Sequence, residues 1–393
     1  MADNPAAQQS GSSHSPSAVA TMAAIVAGWA LVRLVAGGER RRTPVSRNAE
    51  TRRPPEAGPQ KDTGFDEKKH ASPDAAAREG GRGREAEAPT EIPAKGWKDI
   101  LWRTYEEFGK DRITSVAAGV TYYALLAVFP AIAALVSIYG LFADPATIQD
   151  HLSTMSGVLP GGALEIVGEQ VKRISSQGGG ALSFGFIFGL AISLWSANAG
   201  MKAVFDALNI VNDEDEKRNF ISLNLTSLTF TLGAIVFILV ALAGIVVLPI
   251  ILNFIGLGQG KEWFISLLRW PVLLVGVTLG LSLIYRFGPS RDKAEWRWVT
   301  PGGIVAAVLW IAVSMLFSWY VANFGSYNET YGSLGAVIGF MTWIWLSSII
   351  ILLGAEINAE MEHQTVKDTT EGAHQPMGAR GATMADTVGV AKG

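Results

Sequence analysis

The chain has 393 residues, of which 49% are hydrophobic and only 17% are charged. A soluble domain has about 25% charged residues, so this composition indicates a membrane protein whose mean hydropathy of +0.26 is diluted by polar ends. The net charge of −3 gives no support for nucleic-acid binding, which favours a strongly basic domain. Because the chain has no cysteine and only five histidines, it lacks thiolate metal sites and the usual ligands of metal-dependent hydrolases, and we expect no cofactor.

The two ends of the chain differ from its centre in composition. Residues 1–38 are a small, polar tail followed by an apolar run at 18–37, with a block of three arginines at 40–42 after it. A signal peptide has its positive charge before the apolar run, so two interpretations stay open: an additional spanning helix, or a segment that does not span the membrane. Residues 39–95 and 364–393 have few large apolar side chains, which predicts a disordered linker and a disordered tail.

Between these ends, residues 96–363 contain six apolar segments of the length needed to cross a bilayer. They are residues 113–143, 181–201, 220–252, 265–286, 299–323 and 335–355. About 20 predominantly apolar residues span the hydrocarbon core, and only a helix satisfies their backbone polar groups there. The sequence therefore predicts an all-α, polytopic membrane bundle of six core helices, with the N-terminal run as the candidate for a seventh.

Lysine and arginine are distributed unequally between the two sets of loops. The segments before the first span and after the second and fourth carry twelve of them, whereas the opposite loops carry four. Positive residues accumulate on the cytoplasmic side of membrane proteins. Both ends of the core are therefore predicted to be cytoplasmic.

Two further helices are predicted outside the spans. Residues 97–110 place Ile100, Leu101, Tyr105 and Phe108 on one face, as expected of an amphipathic helix on the membrane surface. The external loop at 144–175 also has helical patterning. It is interpreted either as a packed connector or as a cap over the outer mouth of the bundle.

Three pairs of glycines are spaced so that neighbouring helices could approach closely. They are Gly185/Gly189, Gly276/Gly280 and Gly335/Gly339. Small residues at this spacing promote helix packing in lipid. Packing within the chain is the favoured interpretation, and a homo-oligomer through these faces is the alternative.

Polar side chains near the ends of the second and sixth spans are candidates for function, because ionisable groups are costly at membrane depth. They are Asn198, Lys202, Glu356 and Asn358. One hypothesis pairs Lys202 with Glu356 inside the bundle, with Asn198 completing a polar network. The alternative is that Lys202 extends to the lipid headgroups.

A second set of polar and aromatic residues crowds the turn between the fifth and sixth spans. It comprises Asn323, Tyr327, Asn328, Glu329 and Tyr331. This turn is interpreted either as a re-entrant element at the outer mouth of a cavity or as a tight, glycine-rich hairpin.

Four blocks of the core resemble those of the YihY/BrkB family of bacterial inner-membrane proteins. They are AGVTYYALLAVFP at 118–130, LWSANAGMK at 194–202, YVANFGSYNETYGSLGA at 320–336 and LGAEINAE at 353–360. The resemblance covers about residues 97–363 and implies a six-helix protein of the inner membrane with both ends cytoplasmic. The family has been named for virulence and for a ribonuclease, but these names do not define a molecular activity.

The ribonuclease label has little support in the residues. A nuclease needs clustered metal-binding carboxylates or a histidine acid–base pair, whereas the acidic run at 213–216 lies beside Lys217 and Arg218 with no histidine nearby. The segment GLGQGK at 256–261 is one residue too short for a phosphate-binding loop and is interpreted as a turn.

The functional hypotheses follow from the spans and from the lack of a catalytic constellation. The leading one is a permease that handles a lipid or solute, with membrane lipids and an unidentified cargo as partners and no nucleic acid. The alternative is a non-transporting organiser or assembly factor of the cell envelope. A membrane-bound enzyme is the weakest hypothesis.

Overall fold

The computed structural model describes residues 70–139, 184–254, 262–324 and 333–392. Within these ranges the chain is helical, with two isolated β-bridges and no strand. In chain order the helices are α1 (Pro73–Ala77), α2 (Ala94–Lys110), α3 (Ile113–Tyr139), α4 (Phe184–Val211), α5 (Phe220–Phe254), α6 (Glu262–Phe287), α7 (Trp296–Phe324), α8 (Ser333–Glu362) and α9 (Thr383–Asp386). A 3-10 turn at Pro89–Glu91 precedes α2.

Helices α3 to α8 are the predicted spans. In the described part of the chain, five helices are long and apolar enough to cross a membrane, through the stretches Ile113–Leu135, Ile187–Val211, Phe220–Val240, Trp296–Val321 and Val337–Glu362. Helix α6 adds a shorter apolar stretch, Pro271–Phe287. The prediction of an all-α membrane bundle is confirmed.

The spans expose large apolar side chains on their outer surfaces. Phe188 and Trp195 on α4, Val240 on α5, and Leu316 and Trp319 on α7 are all at least half exposed. Hydrocarbon solvates such side chains, and helices in lipid therefore associate through close packing rather than by hiding apolar surface from water. This inverted pattern is what a bilayer-embedded bundle requires.

The interior of the bundle is built largely from small residues. Helix α3 packs on α4 and α8, α5 on α4, and α7 on α6 and α8. Ala117, Ala207, Ala306, Ala307 and Ala355 are buried in the core at these contacts. Small side chains let helix backbones approach one another, which is the main source of contact energy in lipid.

The predicted glycine pairs contribute less to this packing than expected. A β-carbon at Gly276 would lie 3.1 Å from the Phe237 ring of α5, so this glycine does pack within the chain. At Gly189, Gly280 and Gly339 nothing among the described residues lies within 4 Å. Packing within the chain is therefore supported at Gly276, and it is not supported at Gly189, Gly280 or Gly339 by the described residues.

Helix α2 forms where an amphipathic helix was predicted, but it divides its faces differently. Leu101 and Tyr105 are exposed, as expected of a surface helix, whereas Ile100 is buried together with the charged residues Asp99 and Arg103. The buried face is therefore the polar one. Its charges are paired with other segments, Asp99 with Arg82 and Arg103 with Glu360.

Residues 70–112, 212–219, 288–295 and 363–392 meet at one end of the bundle, which we call the charged end. Backbone hydrogen bonds join its segments: Val366 N donates to Arg84 O at 2.8 Å, Gly389 N to His363 O at 2.8 Å, and Ala71 N to Val388 O at 2.6 Å. The predicted disorder is therefore wrong for residues 70–95 and 364–392. Backbone and charged hydrogen bonds order these segments, and a count of large apolar side chains does not register them.

Several predictions fall on residues outside the described ranges. They concern the apolar run at 18–37, the linker up to residue 69, the loop at 144–175 and the turn at 256–261. These stay predictions.

Candidate functional site in the membrane-spanning bundle

Asn358 joins α8 to the backbone of α7 beside Pro301. Pro301 lies inside α7 and has no N–H to donate to the helical ladder. The Asn358 side chain bonds to the backbone on both sides of this proline: its Oδ1 accepts from Gly302 N at 2.8 Å and its Nδ2 donates to Val299 O at 2.9 Å. The side chain is buried, so both bonds are made away from water.

Glycines bring α6, α7 and α8 into close contact at this level. A β-carbon at Gly302 would lie 2.1 Å from Gly354 O, and one at Gly303 would lie 2.7 Å from Ser282 Oγ. The Tyr285 hydroxyl donates to Ile351 O at 2.7 Å across the same contact. We call this contact the glycine crossing, defined by Gly302, Gly303 and Gly354.

A stripe of buried polar side chains faces α4 from α5. Asn224, Ser227 and Thr231 are three and four residues apart and therefore lie on one face of α5. The Thr231 hydroxyl lies 2.9 Å from Ser227 O and 3.3 Å from Asn198 Oδ1 of α4. These four residues are the polar stripe, and its length from Asn224 to Thr231 is about 10 Å at the rise of an α-helix.

Two amide atoms of the polar stripe have no hydrogen-bond partner among the described residues. They are Nδ2 of Asn198 and Oδ1 of Asn224, both buried. A buried amide atom without a partner costs roughly 1–3 kcal/mol. A hydrogen bond from an additional polar group to these two atoms would therefore lower the free energy of the protein.

The predicted pairing of Lys202 with Glu356 stays a prediction. The Lys202 ammonium lies 5.1 Å from the centre of the Trp195 ring on the same helix. Glu356 is fully buried on α8. The contact with Trp195 is compatible with the alternative interpretation of Lys202, and the network of these two residues with Asn198 stays a prediction.

Of the predicted outer turn, the structure describes only Asn323. Its side chain is exposed and Nδ2 donates to Trp319 O at 2.8 Å, one turn back in α7. Tyr327, Asn328, Glu329 and Tyr331 lie outside the described residues. The interpretation of this turn stays a prediction.

The C-terminal end of α8 carries a buried charge cluster that the sequence reasoning missed. Glu360 accepts from Arg103 Nε of α2 at 2.5 Å, and both side chains are almost fully buried. His363 lies 3.5 Å from the same carboxylate through Nδ1, while its Nε2 is 3.0 Å from Nδ1 of His70. In this hydrogen bond between the two rings, one nitrogen carries the hydrogen and donates it to the other.

A second buried ion pair holds the turn between α6 and α7 against α8. Arg291 donates to Glu362 Oε1 at 2.6 Å, and Thr369 Oγ1 donates to the other oxygen of that carboxylate at 2.8 Å. Both charged side chains are about 2% exposed or less. The only sequence signal for these pairs was the arginine excess, which was used for orientation and not for pairing.

The acidic run at 213–216 holds loops together. Glu214 accepts from Lys217 Nζ at 2.7 Å and from the backbone N–H of Thr383 at 2.7 Å. Partial burial opposes the charge of Glu216, but hydrogen bonds from Arg218 and Asn209 outweigh it and lower the pKa of Glu216 to about 2. No group of three or more metal-ligating side chains occurs among the described residues.

Comparison with known proteins finds a family and relatives. Residues 104–378 match the family model described as virulence factor BrkB. The chain is 36% identical over 255 residues to a ribonuclease-like protein of Bacillus subtilis, YfkH, covering 62% of this chain and 88% of that protein. It is 30% identical over 265 residues to the UPF0761 membrane protein MS0032 of Mannheimia succiniciproducens, covering 65% and 86%.

A more distant relative extends the same picture. The UPF0761 membrane protein IL2447 of Idiomarina loihiensis is 26% identical over 287 residues, which cover 67% of this chain and 95% of that protein. No solved structure matches the chain significantly.

Proposed function

The chain belongs to the BrkB family of bacterial membrane proteins, and we propose that it is a permease that moves a lipid or a small solute across the plasma membrane. One observation carries the proposal: the polar stripe lies between two helices that are long and apolar enough to span a membrane, and it leaves two buried amide atoms without a partner. Polar side chains inside the membrane are costly to bury, and in transporters they line substrate pathways.

We place the charged end of the bundle in the cytoplasm. The segments at this end carry most of the lysines and arginines that flank the spans. Positive residues are retained on the cytoplasmic side, which supports an orientation with residues 70–112 and 363–392 inside the cell.

The polar stripe gives such a pathway a starting point. Asn224 lies one turn into α5 from the charged end, and Thr231 lies two turns deeper, against Asn198. A polar headgroup or solute that enters between α4 and α5 would exchange its hydration for these amide and hydroxyl groups. Its acyl chains, where it has any, would stay beside the exposed apolar side chains of the same helices.

Transport can be measured with purified full-length protein in liposomes. Lipid movement is followed with a fluorescent phospholipid that external dithionite bleaches, and solute movement is followed by leakage of trapped radioactive glycerol. We expect the wild-type protein to accelerate one of these two processes over protein-free vesicles. Asn198→Leu should slow it several-fold, because it replaces the amide with an apolar group of similar size.

A matched control lies on the same helix. Thr229 is exposed and its hydroxyl bonds to Leu225 O of its own helix, so Thr229→Val removes a hydroxyl outside the polar stripe. This variant should behave as wild type. Protein-free rates for both probes, or equal rates for Asn198→Leu and Thr229→Val, would contradict the proposed pathway.

The second candidate function is a non-transporting organiser or assembly factor of the envelope. The observation that favours it is the folded surface built at the charged end from residues 70–93 and 364–392, which could dock another protein. Wild-type growth and envelope integrity in a strain carrying Asn198→Leu, but not in one lacking residues 364–393, would favour this function over transport.

We do not extend the ribonuclease-like name of one relative to this chain. Within the acidic run, the Glu214 carboxylate is bonded to Lys217 and to the Thr383 N–H, and the Glu216 carboxylate is bonded to Arg218. Metal-dependent RNA cleavage by the purified protein that disappears in Asp213→Ala or Asp215→Ala would overturn this view.

The open glycine faces also bear on assembly. Gly189, Gly280 and Gly339 have no neighbour within 4 Å in the described part of the chain, and a homo-oligomer through one of these faces is the proposal that follows. Cross-linking in membranes tests it, with Gly280→Leu expected to abolish any dimer band formed through α6.

A further inference from the structure

A cavity of about 600 Å³ opens at the charged end, between the start of α5 and the turn that links α6 to α7. Its lining is strongly basic. One carboxylate, Asp292, faces five cations: Lys217, Arg218, Arg286, Arg291 and Lys293. A concave site with this excess of positive charge attracts anions.

The five cations differ in how far they are already neutralised. Arg291 is held by the buried Glu362, and Arg218 is held by two oxygens of Glu216, so these two form fixed walls. Lys217 pairs with the buried carboxylate of Glu214, but the Lys217 side chain itself is 58% exposed, so its ammonium is accessible from the cavity entrance. Lys293 makes no ion pair with the described residues, its ammonium lying 5.2 Å from the centre of the Phe287 ring.

Arg286 provides an independent sign of a missing ligand. The residue is 5% exposed, and its two terminal nitrogens donate to Ala294 O and to Glu371. The third donor, Nε, is buried and has no hydrogen-bond partner among the described residues. An arginine binds the two oxygens of a phosphate in a fork, for which Nε and a terminal nitrogen are suited.

The position of the cavity indicates what kind of anion it would hold. Phe287, the last residue of the apolar stretch Pro271–Phe287, lines it together with Thr226, which lies in the second turn of the stretch Phe220–Val240. Phe220, Ile221 and Leu225 on the adjoining turns of α5 are between 66% and 76% exposed. The cavity thus lies where headgroups meet hydrocarbon, with apolar surface beside it for an acyl chain.

An aromatic side chain marks the same level. The Trp296 ring is 43% exposed and lies 4.6 Å from the Arg286 guanidinium carbon. Tryptophan is enriched at membrane–water interfaces, and stacking on the ring holds the guanidinium plane in place. A small inorganic anion would not contact the exposed apolar side chains beside the cavity, whereas the acyl chain of a lipid would.

We propose that this cavity binds the phosphate group of an anionic phospholipid, with Arg286 and Lys293 as its direct contacts and Lys217 at its entrance. Basic pockets between membrane helices on the cytoplasmic side are suited to such headgroups. The site is separate from the polar stripe. It would bind lipid whether or not the protein transports anything.

Binding is measured on purified full-length protein in detergent, by native mass spectrometry with added dioleoylphosphatidylglycerol. Dioleoylphosphatidylcholine and inorganic phosphate are the two comparison probes. We expect phosphatidylglycerol to bind more tightly than phosphatidylcholine, and millimolar phosphate to compete only weakly. Lys293→Gln should weaken phosphatidylglycerol binding roughly fivefold, and adding Lys217→Gln should weaken it further by a similar factor.

The control variant is Lys98→Gln, which removes an exposed lysine of α2 that does not line the cavity. It should bind as wild type, and the melting temperatures of Lys293→Gln and Lys98→Gln should agree with that of the wild type, since the Lys293 ammonium supports no carboxylate among the described residues. Equal binding of the two lipids, or equal loss in Lys98→Gln and Lys293→Gln, would overturn the site. Competition by phosphate at the lipid's own affinity would overturn the lipid as its occupant.

Discussion

At the scale of single residues, the most informative side chain is Asn358. Sequence reasoning selected it as one member of an intramembrane polar network, on the ground that such groups are costly in lipid. The structure gives it a backbone partner instead: both ends of its amide bond to α7 beside Pro301. It joins α8 to the α7 backbone on both sides of this proline.

Asn358→Ala is therefore expected to destabilise the protein. The change leaves the Gly302 N–H and the Val299 C=O buried without their side-chain partner, at roughly 1–3 kcal/mol for each group. Unfolding in mixed micelles with increasing SDS measures the loss. Asn323→Ala removes an exposed amide of α7 that donates to Trp319 O, and this control should change stability by less than about 0.5 kcal/mol.

Glu216 allows a prediction about pH. Its pKa of about 2 lies below the ordinary 4.5, so folding favours the carboxylate form. Its contribution to stability is complete above pH 4.5 and is lost as the pH falls from 4.5 towards 2. The loop that it holds through Arg218 and Asn209 should loosen in that window.

Hydrogen exchange of peptides covering residues 212–219 tests this at pH 5 and pH 3. The Glu216→Gln variant supplies the control, since it cannot titrate. The ratio of exchange between the two pH values, corrected for intrinsic rates, should be larger in the wild type. Equal ratios in the two proteins would contradict the assignment.

At the scale of elements, helices are held together by different means at different levels. In the glycine crossing, backbones touch because the side chains are absent. At the charged end, α8 is joined to α2 and to the turn after α6 by buried ion pairs. Breaking a buried pair costs about 3–5 kcal/mol, although its net contribution to stability is far smaller. These pairs therefore specify which elements meet more than they stabilise them.

The glycine crossing leads to a prediction of opposite signs for two glycine-to-alanine changes. A β-carbon at Gly302 would be 2.1 Å from a backbone oxygen, which cannot move aside, so Gly302→Ala should cost about 1–3 kcal/mol or more. Gly280→Ala meets nothing within 4 Å and gains helix propensity of up to about 1 kcal/mol. The same SDS titration ranks the two variants, and equal stabilities would show that α7 and α8 are not in backbone contact there.

At the scale of the whole molecule, the spans were predictable and the charged end was not. A run of about 20 apolar residues forms a spanning helix in a bilayer, so length and composition were sufficient to predict α3 to α8. The order of residues 364–392 depends on single arginines and backbone groups that are far apart in the sequence, such as Arg103 with Val390 O. Composition carries no information on such pairings.

The candidate site divides in the same way. The interior position of Asn198 and Asn358 was predictable, because a polar side chain in an apolar span is costly to expose to lipid and therefore faces the inside of the bundle. Their partners, Thr231 on α5 and the backbone of α7, were not predicted. Which helix faces which depends on packing, and no single span encodes it.

Arg380 tests whether the C-terminal segment is an integral part of the fold. The buried guanidinium donates to Ala385 O at 2.6 Å, Val366 O at 2.8 Å and Lys367 O at 3.0 Å. One side chain therefore holds the two ends of residues 366–385 together. Arg380→Met leaves these carbonyls without a donor and should raise hydrogen exchange at least tenfold across residues 366–386. The spans should keep their protection, because their ladders are internal. Arg78→Met removes an exposed arginine and should leave exchange unchanged; equal patterns in the two variants would contradict the role of Arg380.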